Sequence, residues 1–344
     1  MTTAENLDHL CNPKLPESIP LIDFSDYNST DLQKKVNLGK KLVDAFSTAG
    51  FVYLKNCPLD NFDRDEMFKT SKEFFAKSSD YKVNLEWESA ESNRGYVQQG
   101  REKLTELDKV GRADEIGLLR QVSPDIKETF EIGKENPNGK FQNRWPDDEF
   151  GKKFKSTSLK FYDQMHKINV EIMKLLNFGL DLPEGYLDSF VTDGDNNLRL
   201  LHYPSVEKKT LSKENKRAGA HCDYGSITLL LQDMSGGLEV KDYKTGEYVK
   251  ATPIADTIVV NVGDMMQRWT NDKFKSTLHR VVKPYISEDE TTYPARFSIA
   301  YFCNPNFDSI IECLPTCVDE GNPKKYGPIS SFEHLVERLS STYA

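Results

Sequence analysis

Two histidines and one aspartate in the second half of the chain have the types and spacing of metal ligands. His221 and Asp223 flank Cys222, in the sequence His-Cys-Asp-Tyr-Gly. In an extended segment, residues i and i+2 project to the same side, so the imidazole of His221 and the carboxylate of Asp223 address one point while Cys222 faces away. His279 follows after enough residues for several sheet crossings. We therefore expect the fold to bring His279 back to the other two side chains.

Two imidazoles and one carboxylate form the ligand set of non-haem Fe(II) oxygenases, which leaves the remaining coordination positions open. Zinc is more often held by three histidines, or by two histidines and a glutamate, in a tetrahedral site. A sequence does not distinguish iron from zinc by affinity, because the geometry of the site and the availability of the metal decide which one binds. The complete set of three residues favours iron, with zinc as the alternative.

Arg296 and Ser298 begin the last apolar segment of this half, in the sequence Arg-Phe-Ser-Ile-Ala-Tyr-Phe. They share a face by the same alternation and present a guanidinium group and a hydroxyl group. A guanidinium group binds a carboxylate through two charge-assisted hydrogen bonds, which also fix the orientation of the ligand. The pair therefore suits a carboxylate ligand. The alternative is a surface arginine that begins a strand.

Composition and charge exclude several classes of protein. The 344 residues are 38% hydrophobic and 29% charged, and 45 basic against 54 acidic side chains give a formal net charge of −9. Because no basic stripe is visible, we expect no nucleic-acid partner. No stretch approaches the roughly 20 apolar residues of a membrane span, so we expect no membrane partner. The N-terminus lacks the layout of a secretory signal, which predicts a cytoplasmic protein.

Short strands and helices alternate in the first half of the chain. Apolar runs predict buried strands over 19–24 and 51–54. The segment Ser29-Thr30-Asp31 supplies N-cap chemistry for a helix that ends near Gly50. Residues 88–150 are rich in glycine, proline, asparagine and charge, which predicts long loops. Two further segments with helical periodicity lie at about 62–78 and 153–177.

The second half is predicted to be a jelly roll. From about residue 195, short apolar segments are separated by turn residues, which favours a double-sheet jelly roll or sandwich. The fold class is therefore α+β, with a double-stranded β-helix core flanked by helices. We assign 1–180 to a helical and mixed N-terminal region, and 181–344 to the core with a C-terminal helix near 330–341. The predicted strands are 198–203, 227–232, 238–241, 257–262, 277–282 and 296–302.

The chain resembles the Fe(II)/2-oxoglutarate-dependent oxygenases of the isopenicillin N synthase-like family over nearly its whole length. The resemblance implies that family's jelly roll, Fe(II) as the metal, and 2-oxoglutarate and O2 as co-substrates. It also implies an enzyme that oxidises a small molecule while 2-oxoglutarate is converted to succinate and CO2. The matching segments are 19–24, 49–53, 93–96, 263–264 and 269–271.

The resemblance also assigns roles to individual residues. Arg296 and Ser298 match the anchor of the distal carboxylate of 2-oxoglutarate, and Tyr203 matches a tyrosine that often reaches this co-substrate. Leu201 departs from the family, because many members have asparagine at this position. The metal ligands of the family match His221, Asp223 and His279.

Within this family the chain resembles the fungal thymine dioxygenases, which implies thymine or a related pyrimidine as the substrate. Phe302 is in phase with Arg296 and Ser298, so it is expected to offer a stacking surface for a flat ring. Arg199 is in phase with Tyr203 and is expected to donate hydrogen bonds to ring carbonyls. The alternatives are a core phenylalanine and an arginine paired with a structural carboxylate. The matching blocks are 93–96, 100–103, 125–128, 131–133, 198–204 and 298–306.

Other functions stay open at this point. The same site can hydroxylate or desaturate a different small metabolite, or serve as an oxidase without 2-oxoglutarate. From another class, a non-catalytic sensor of 2-oxoglutarate would keep the fold, although it would not need open metal positions.

His202 alternates away from Tyr203 and is expected on the other face of the sheet. The sequence makes no prediction of the oligomeric state.

Overall fold

The computed structural model describes residues 19–101, 126–210, 217–284, 286–287 and 289–343. Within these ranges, two mainly antiparallel sheets form a jelly roll, and helices cover the outer face of the larger sheet. The larger sheet contains, in spatial order, β1 (Leu21–Asp23), β2 (Phe51–Lys55), β11 (Thr257–Val262), β8 (Ile227–Gln232), β14 (Arg296–Cys303), β5 (Asn197–Tyr203), β4 (Glu128–Gly133) and β3 (Gly95–Val97).

The smaller sheet lies opposite and has four strands. Its side chains share one hydrophobic cluster with the inner face of the larger sheet, for example Val240 and Val281 with Tyr53 and Ala300. In spatial order the strands are β10 (Tyr248–Lys250), β9 (Leu238–Lys241), β12 (His279–Val281) and β7 (Ala218–His221). Two short ribbons pair β6 (Val206–Glu207) with β13 (Thr292–Tyr293), and β15 (Ile310–Ile311) with β16 (Ile329–Ser330).

The helices follow the predicted pattern. Asp31 caps the first helix, and its Oδ1 accepts a hydrogen bond from the backbone N–H of Gln33 at 2.9 Å. The predicted apolar side of the longest helix is buried, as shown by Tyr162, Met165 and Ile172. The helices are α1 (Leu32–Thr48), α2 (Asn61–Phe75), α3 (Ser79–Val83), α4 (Glu149–Gly179), α5 (Asp264–Trp269) and α6 (Ser331–Tyr343).

The prediction of loops over 88–150 is wrong at 95–97 and 128–133, which form β3 and β4. Every residue of β4 is buried, including two glutamates that obscure the strand in the sequence. Glu128 points to the helices, where its carboxylate meets Lys82 Nζ at 2.7 Å and His202 Nδ1 at 2.7 Å. His202 therefore lies on the outer face, as its alternation with Tyr203 predicted. Residues 102–125 lie outside the described ranges.

Most strands of the second half lie where the sequence predicts them, whereas β7 was not predicted. Its sequence, Ala-Gly-Ala-His, has none of the β-branched or aromatic residues that favour strands.

The strands of the N-terminal region, β1 to β4, join the same sheet as β5, β8, β11 and β14. The boundary between 180 and 181 lies after α4 and stays a prediction. No helix among the described residues combines the length and apolar character that crossing a membrane requires.

Two glycines allow α1 and α4 to cross in close contact. A Cβ atom at Gly39 would lie 2.2 Å from the backbone oxygen of Leu175, and one at Gly179 would lie 2.4 Å from the backbone oxygen of Gly39. Backbone atoms of a helix cannot give way as a flexible side chain can. The small residues therefore set the distance between the helix pair that supports the larger sheet.

We predict that Gly39→Ala destabilises the protein. Alanine normally stabilises a helix interior by about 1 kcal/mol relative to glycine. Overpacking costs about 1–3 kcal/mol, and an approach of 2.2 Å to a helix backbone belongs at the upper end of that range, so we expect a net loss of about 2 kcal/mol in the free energy of unfolding. Denaturant titration of the wild-type protein and of the variant measures this change in the free energy of unfolding. Gly327→Ala is the matched control, because no atom lies within 4 Å of its added Cβ. A Gly39→Ala variant as stable as wild type would contradict the tight crossing.

Candidate active site

The pairing of β7 with β12 brings the two predicted histidine ligands together. His279 lies directly opposite His221 in the register, and their ring centroids are 4.3 Å apart. Asp223 follows β7, and its Oδ1 lies 3.9 Å from His221 Nε2 and 3.7 Å from His279 Nε2. One potential ligand atom of each residue lies within 4.8 Å of the other two. The structure thus gathers the three side chains around one point.

Backbone carbonyl groups orient both imidazoles toward that point. His221 Nδ1 lies 2.9 Å from the oxygen of Gly219, and His279 Nδ1 lies 3.1 Å from the oxygen of Thr277. A proton on Nδ1 that is donated to a carbonyl leaves the lone pair of Nε2 available for a metal ion. Both Nε2 atoms lie within 4 Å of Asp223 Oδ1.

The carboxylate of Asp223 is held by its other oxygen. Asp223 Oδ2 accepts hydrogen bonds from Thr228 Oγ1 at 2.6 Å and from Asn261 Nδ2 at 2.7 Å. Oδ1 is therefore the oxygen that faces the histidines. These supporting contacts restrict the rotation of all three potential ligands. Metal binding is favoured because it then requires little further loss of side-chain entropy.

Burial and mutual charge set the protonation of the cluster. Burial, together with the charge of His279, lowers the pKa of His221 to about 3, although Asp223 acts in the opposite direction. Burial alone would raise the pKa of Asp223, but the two histidines and the hydrogen bonds from Asn261 and Thr228 lower it. A neutral imidazole and an ionised carboxylate are the forms that bind metal. This donor set fits Fe(II).

Arg296 and Ser298 line the same cavity as the three potential metal ligands, and the volume of this cavity is about 550 Å³. Arg296 is 1% exposed, so the alternative of a surface arginine is wrong. Its Nη1 donates to Ser298 Oγ at 2.9 Å, and its Nη2 donates to Gln232 Oε1 at 3.3 Å. Tyr203 pairs with Arg296 in the register, and the guanidinium carbon lies 5.0 Å from its ring centroid. A fixed guanidinium group beside a hydroxyl group suits a carboxylate.

A second cavity, of about 540 Å³, adjoins the first and shares four lining residues with it: Arg199, His221, Asp223 and Phe302. Arg199 and Phe302 both line it, and the guanidinium carbon of Arg199 lies 5.1 Å from the ring centroid of Phe302. The Nε of Arg199 lies 2.7 Å from Glu131 Oε1. Arg199 is therefore paired with a buried carboxylate, which was one of the two alternatives left by the sequence, and it also lines the cavity. Its further lining residues include Asn93, Asn197, Tyr224, Asn304, Leu335 and Leu339.

Sequence reasoning missed several residues that shape the site. Asn261 interrupts the apolar strand Thr-Ile-Val-Val-Asn-Val, and this isolated polar residue was a signal that could have been used. Glu131 was hidden in a segment interpreted as a loop. Tyr224 directly follows Asp223, whereas Leu335 and Leu339 of α6 come from far along the chain. For the two leucines the sequence carries no signal, because only the fold closes the cavity with the C-terminal helix.

Comparison with known proteins places this geometry in a family. Residues 194–305 match the family model of the 2OG-Fe(II) oxygenase superfamily. Residues 19–148 match the model described as the non-haem dioxygenase in morphine synthesis N-terminal region. The two matched segments contain the three potential metal ligands, Arg296 and β1 to β4.

Relatives match almost the whole chain. Thymine 7-hydroxylase of Neurospora crassa, solved in complex with alpha-KG and thymine, is 45% identical with a TM-score of 0.85, and the match covers 94% of this chain and 97% of that one. The 2-oxoglutarate-Fe(II) type oxidoreductase ppzD of Metarhizium rileyi is 32% identical over 94% of this chain and 90% of its own length. The corresponding oxidoreductase hxnY of Emericella nidulans is 31% identical over 92% and 87%. The chain belongs to the 2OG-Fe(II) oxygenase superfamily.

Proposed function

We propose that this protein is an Fe(II)- and 2-oxoglutarate-dependent dioxygenase that hydroxylates a small molecule, with thymine or a related pyrimidine as the substrate. The observation that carries the proposal is the single cavity that contains both the His221, Asp223 and His279 cluster and the Arg296 and Ser298 pair. A metal site next to a carboxylate anchor is what a chelating keto-diacid requires. A sensor without catalysis has no use for the open metal positions.

Each residue group has a defined task in this proposal. His221, Asp223 and His279 would hold Fe(II), while Arg296 and Ser298 would bind the distal carboxylate of 2-oxoglutarate, with Tyr203 beside them. With O2, the bound iron and 2-oxoglutarate supply the oxidation of a C–H bond, coupled to release of succinate and CO2. The protein contributes the position of the substrate and the exclusion of water. No nucleophilic side chain is needed.

The second cavity supports a flat, polar substrate. Phe302 offers an aromatic surface, and Tyr224 lines the same space. Arg199 offers hydrogen-bond donors, and its pairing with Glu131 restricts the guanidinium group. The related Neurospora enzyme has been solved with thymine, which supports a pyrimidine for this chain.

We predict that His279→Ala abolishes iron binding and turnover. The expected loss of activity exceeds about 100-fold, because changes in residues that merely support metal ligands already cost about 10–100-fold. Iron content after anaerobic loading and succinate formation measure the two effects. His166→Ala is the matched control, since His166 belongs to α4 and contacts Asn196 rather than the cluster. A variant that retains iron and normal turnover would exclude His279 as a ligand.

We predict that Arg296→Leu raises the KM for 2-oxoglutarate by roughly 10- to 100-fold, because a hydrogen bond to a charged group contributes about 1.5–3 kcal/mol. Arg296→Lys keeps the charge but loses the forked geometry, so an intermediate KM is expected. Steady-state kinetics with varied 2-oxoglutarate measures both variants. An unchanged KM in Arg296→Leu would place the co-substrate elsewhere.

We predict that thymine or a related pyrimidine stimulates the release of CO2 from 2-oxoglutarate, whereas unrelated acids do not. The wild-type protein, loaded anaerobically with Fe(II) and 2-oxoglutarate, is exposed to O2 with each compound in turn, and the hydroxylated product is identified by mass spectrometry. Stimulation by an unrelated metabolite alone would keep the oxygenase chemistry but refute the pyrimidine substrate.

A further inference from the structure

The wall of the second cavity contains a buried amide whose carbonyl oxygen lacks a donor. Asn197 begins β5, lies opposite Phe302 of β14 and Gly133 of β4, and is 5% exposed. It is in phase with Arg199, so both side chains project from the same face of β5, and both line the cavity. No donor among the described residues makes a hydrogen bond to Asn197 Oδ1.

The orientation of this amide is fixed by its neighbour. Asn197 Nδ2 donates to the backbone oxygen of Asn93 at 3.3 Å. Rotating the amide by half a turn would bring two acceptors into contact without a proton between them. Asn93 is itself held, because its Oδ1 accepts a hydrogen bond from Trp87 Nε1 at 3.0 Å. The oxygen of Asn197 is therefore the atom that stays without a partner.

A buried carbonyl oxygen without a donor costs free energy in the ligand-free protein. The cost is removed when a ligand brings an N–H or O–H group to that oxygen. A site built in this way discriminates strongly against an analogue that lacks the donor, because the analogue leaves the oxygen buried and unpaired.

Arg199 supplies the opposite polarity two residues along the same strand. Its guanidinium group carries donors only. The group is held between the ring of Phe302, 5.1 Å from its carbon, and the carboxylate of Glu131, 2.7 Å from its Nε. The wall thus presents a donor and an acceptor side by side, next to an aromatic ring.

We infer that Asn197 is a specificity-determining residue that accepts a hydrogen bond from a ring N–H of the substrate. Together with Arg199, which binds a carbonyl oxygen, it selects flat rings of the lactam or imide class. This inference rests on the proposed function and deepens it, because it states which feature of the ring is recognised. Rings that bear carbonyl groups but no N–H are then poor substrates.

The first experiment uses the wild-type protein and two N-methylated probes. We measure kcat/KM for thymine, 1-methylthymine and 3-methylthymine by coupled CO2 release. At least one methylated isomer is expected to react about tenfold or more slowly than thymine, since it leaves Asn197 Oδ1 without a donor. Equal values for all three compounds would overturn the inference without any variant.

The second experiment separates hydrogen bonding from steric exclusion. Asn197→Leu keeps the approximate shape but removes the acceptor, and Asn197→Asp keeps an acceptor. We expect kcat/KM for thymine to fall about tenfold or more in the leucine variant and less in the aspartate variant. In Asn197→Ala, which leaves room for the methyl group, the preference for thymine over the rejected isomer is expected to collapse.

The KM for 2-oxoglutarate is the control and is expected to stay the same in these variants, because Asn197 and Arg296 lie at opposite ends of the β5–β14 pairing. Unchanged kcat/KM in Asn197→Leu, or an unchanged preference in Asn197→Ala, would overturn the inference. A wrong pyrimidine proposal gives a different result: the wild-type protein consumes 2-oxoglutarate, but no pyrimidine stimulates this consumption. The inference about Asn197 is then refuted together with the proposed substrate.

Discussion

The antiparallel pairing of β7 with β12 determines where the chemistry can occur. It places His279 opposite His221, and the turn after β7 adds Asp223 to the same point. The cost of burying a carboxylate between two imidazoles is offset by contacts on its far side, from Thr228 of β8 and Asn261 of β11. The cluster is therefore shared by both sheets, and neither sheet could hold it alone.

Because side chains alternate along the strands of the larger sheet, one face of β5 and β14 points into the interior. The polar residues on this face lie toward the two ends of the paired strands. Arg296, Ser298 and Tyr203 lie toward one end of the β5–β14 pairing, and Arg199 and Phe302 lie toward the other. All five side chains line the cavity that contains the three potential metal ligands. Because the register of β5 with β14 sets all of these positions, a slip by one residue would turn every one of them to the helices. The same constraint explains why so many polar residues are tolerated inside the roll.

The sequence predicted that His221 and Asp223 converge and that Arg296 and Ser298 share a face, because residues two apart in a strand project to the same side. It also predicted the buried strands with continuous apolar runs, such as β8 and β11. It failed for β4, where Glu128 and Glu131 mask a strand whose charges find partners only in the folded protein. The sequence of α6 likewise does not indicate that Leu335 and Leu339 line the second cavity. The orphan oxygen of Asn197 is visible only once its neighbours are known.

The central claim is that one metal ion binds to His221, Asp223 and His279. Anomalous diffraction at the iron absorption edge, from crystals grown anaerobically with Fe(II) and 2-oxoglutarate, tests it most directly. The account predicts one strong peak within coordination distance of both histidine Nε2 atoms and of Asp223 Oδ1, with 2-oxoglutarate extending from it to Arg296. A peak held by other side chains, or 2-oxoglutarate bound away from Arg296, would contradict it.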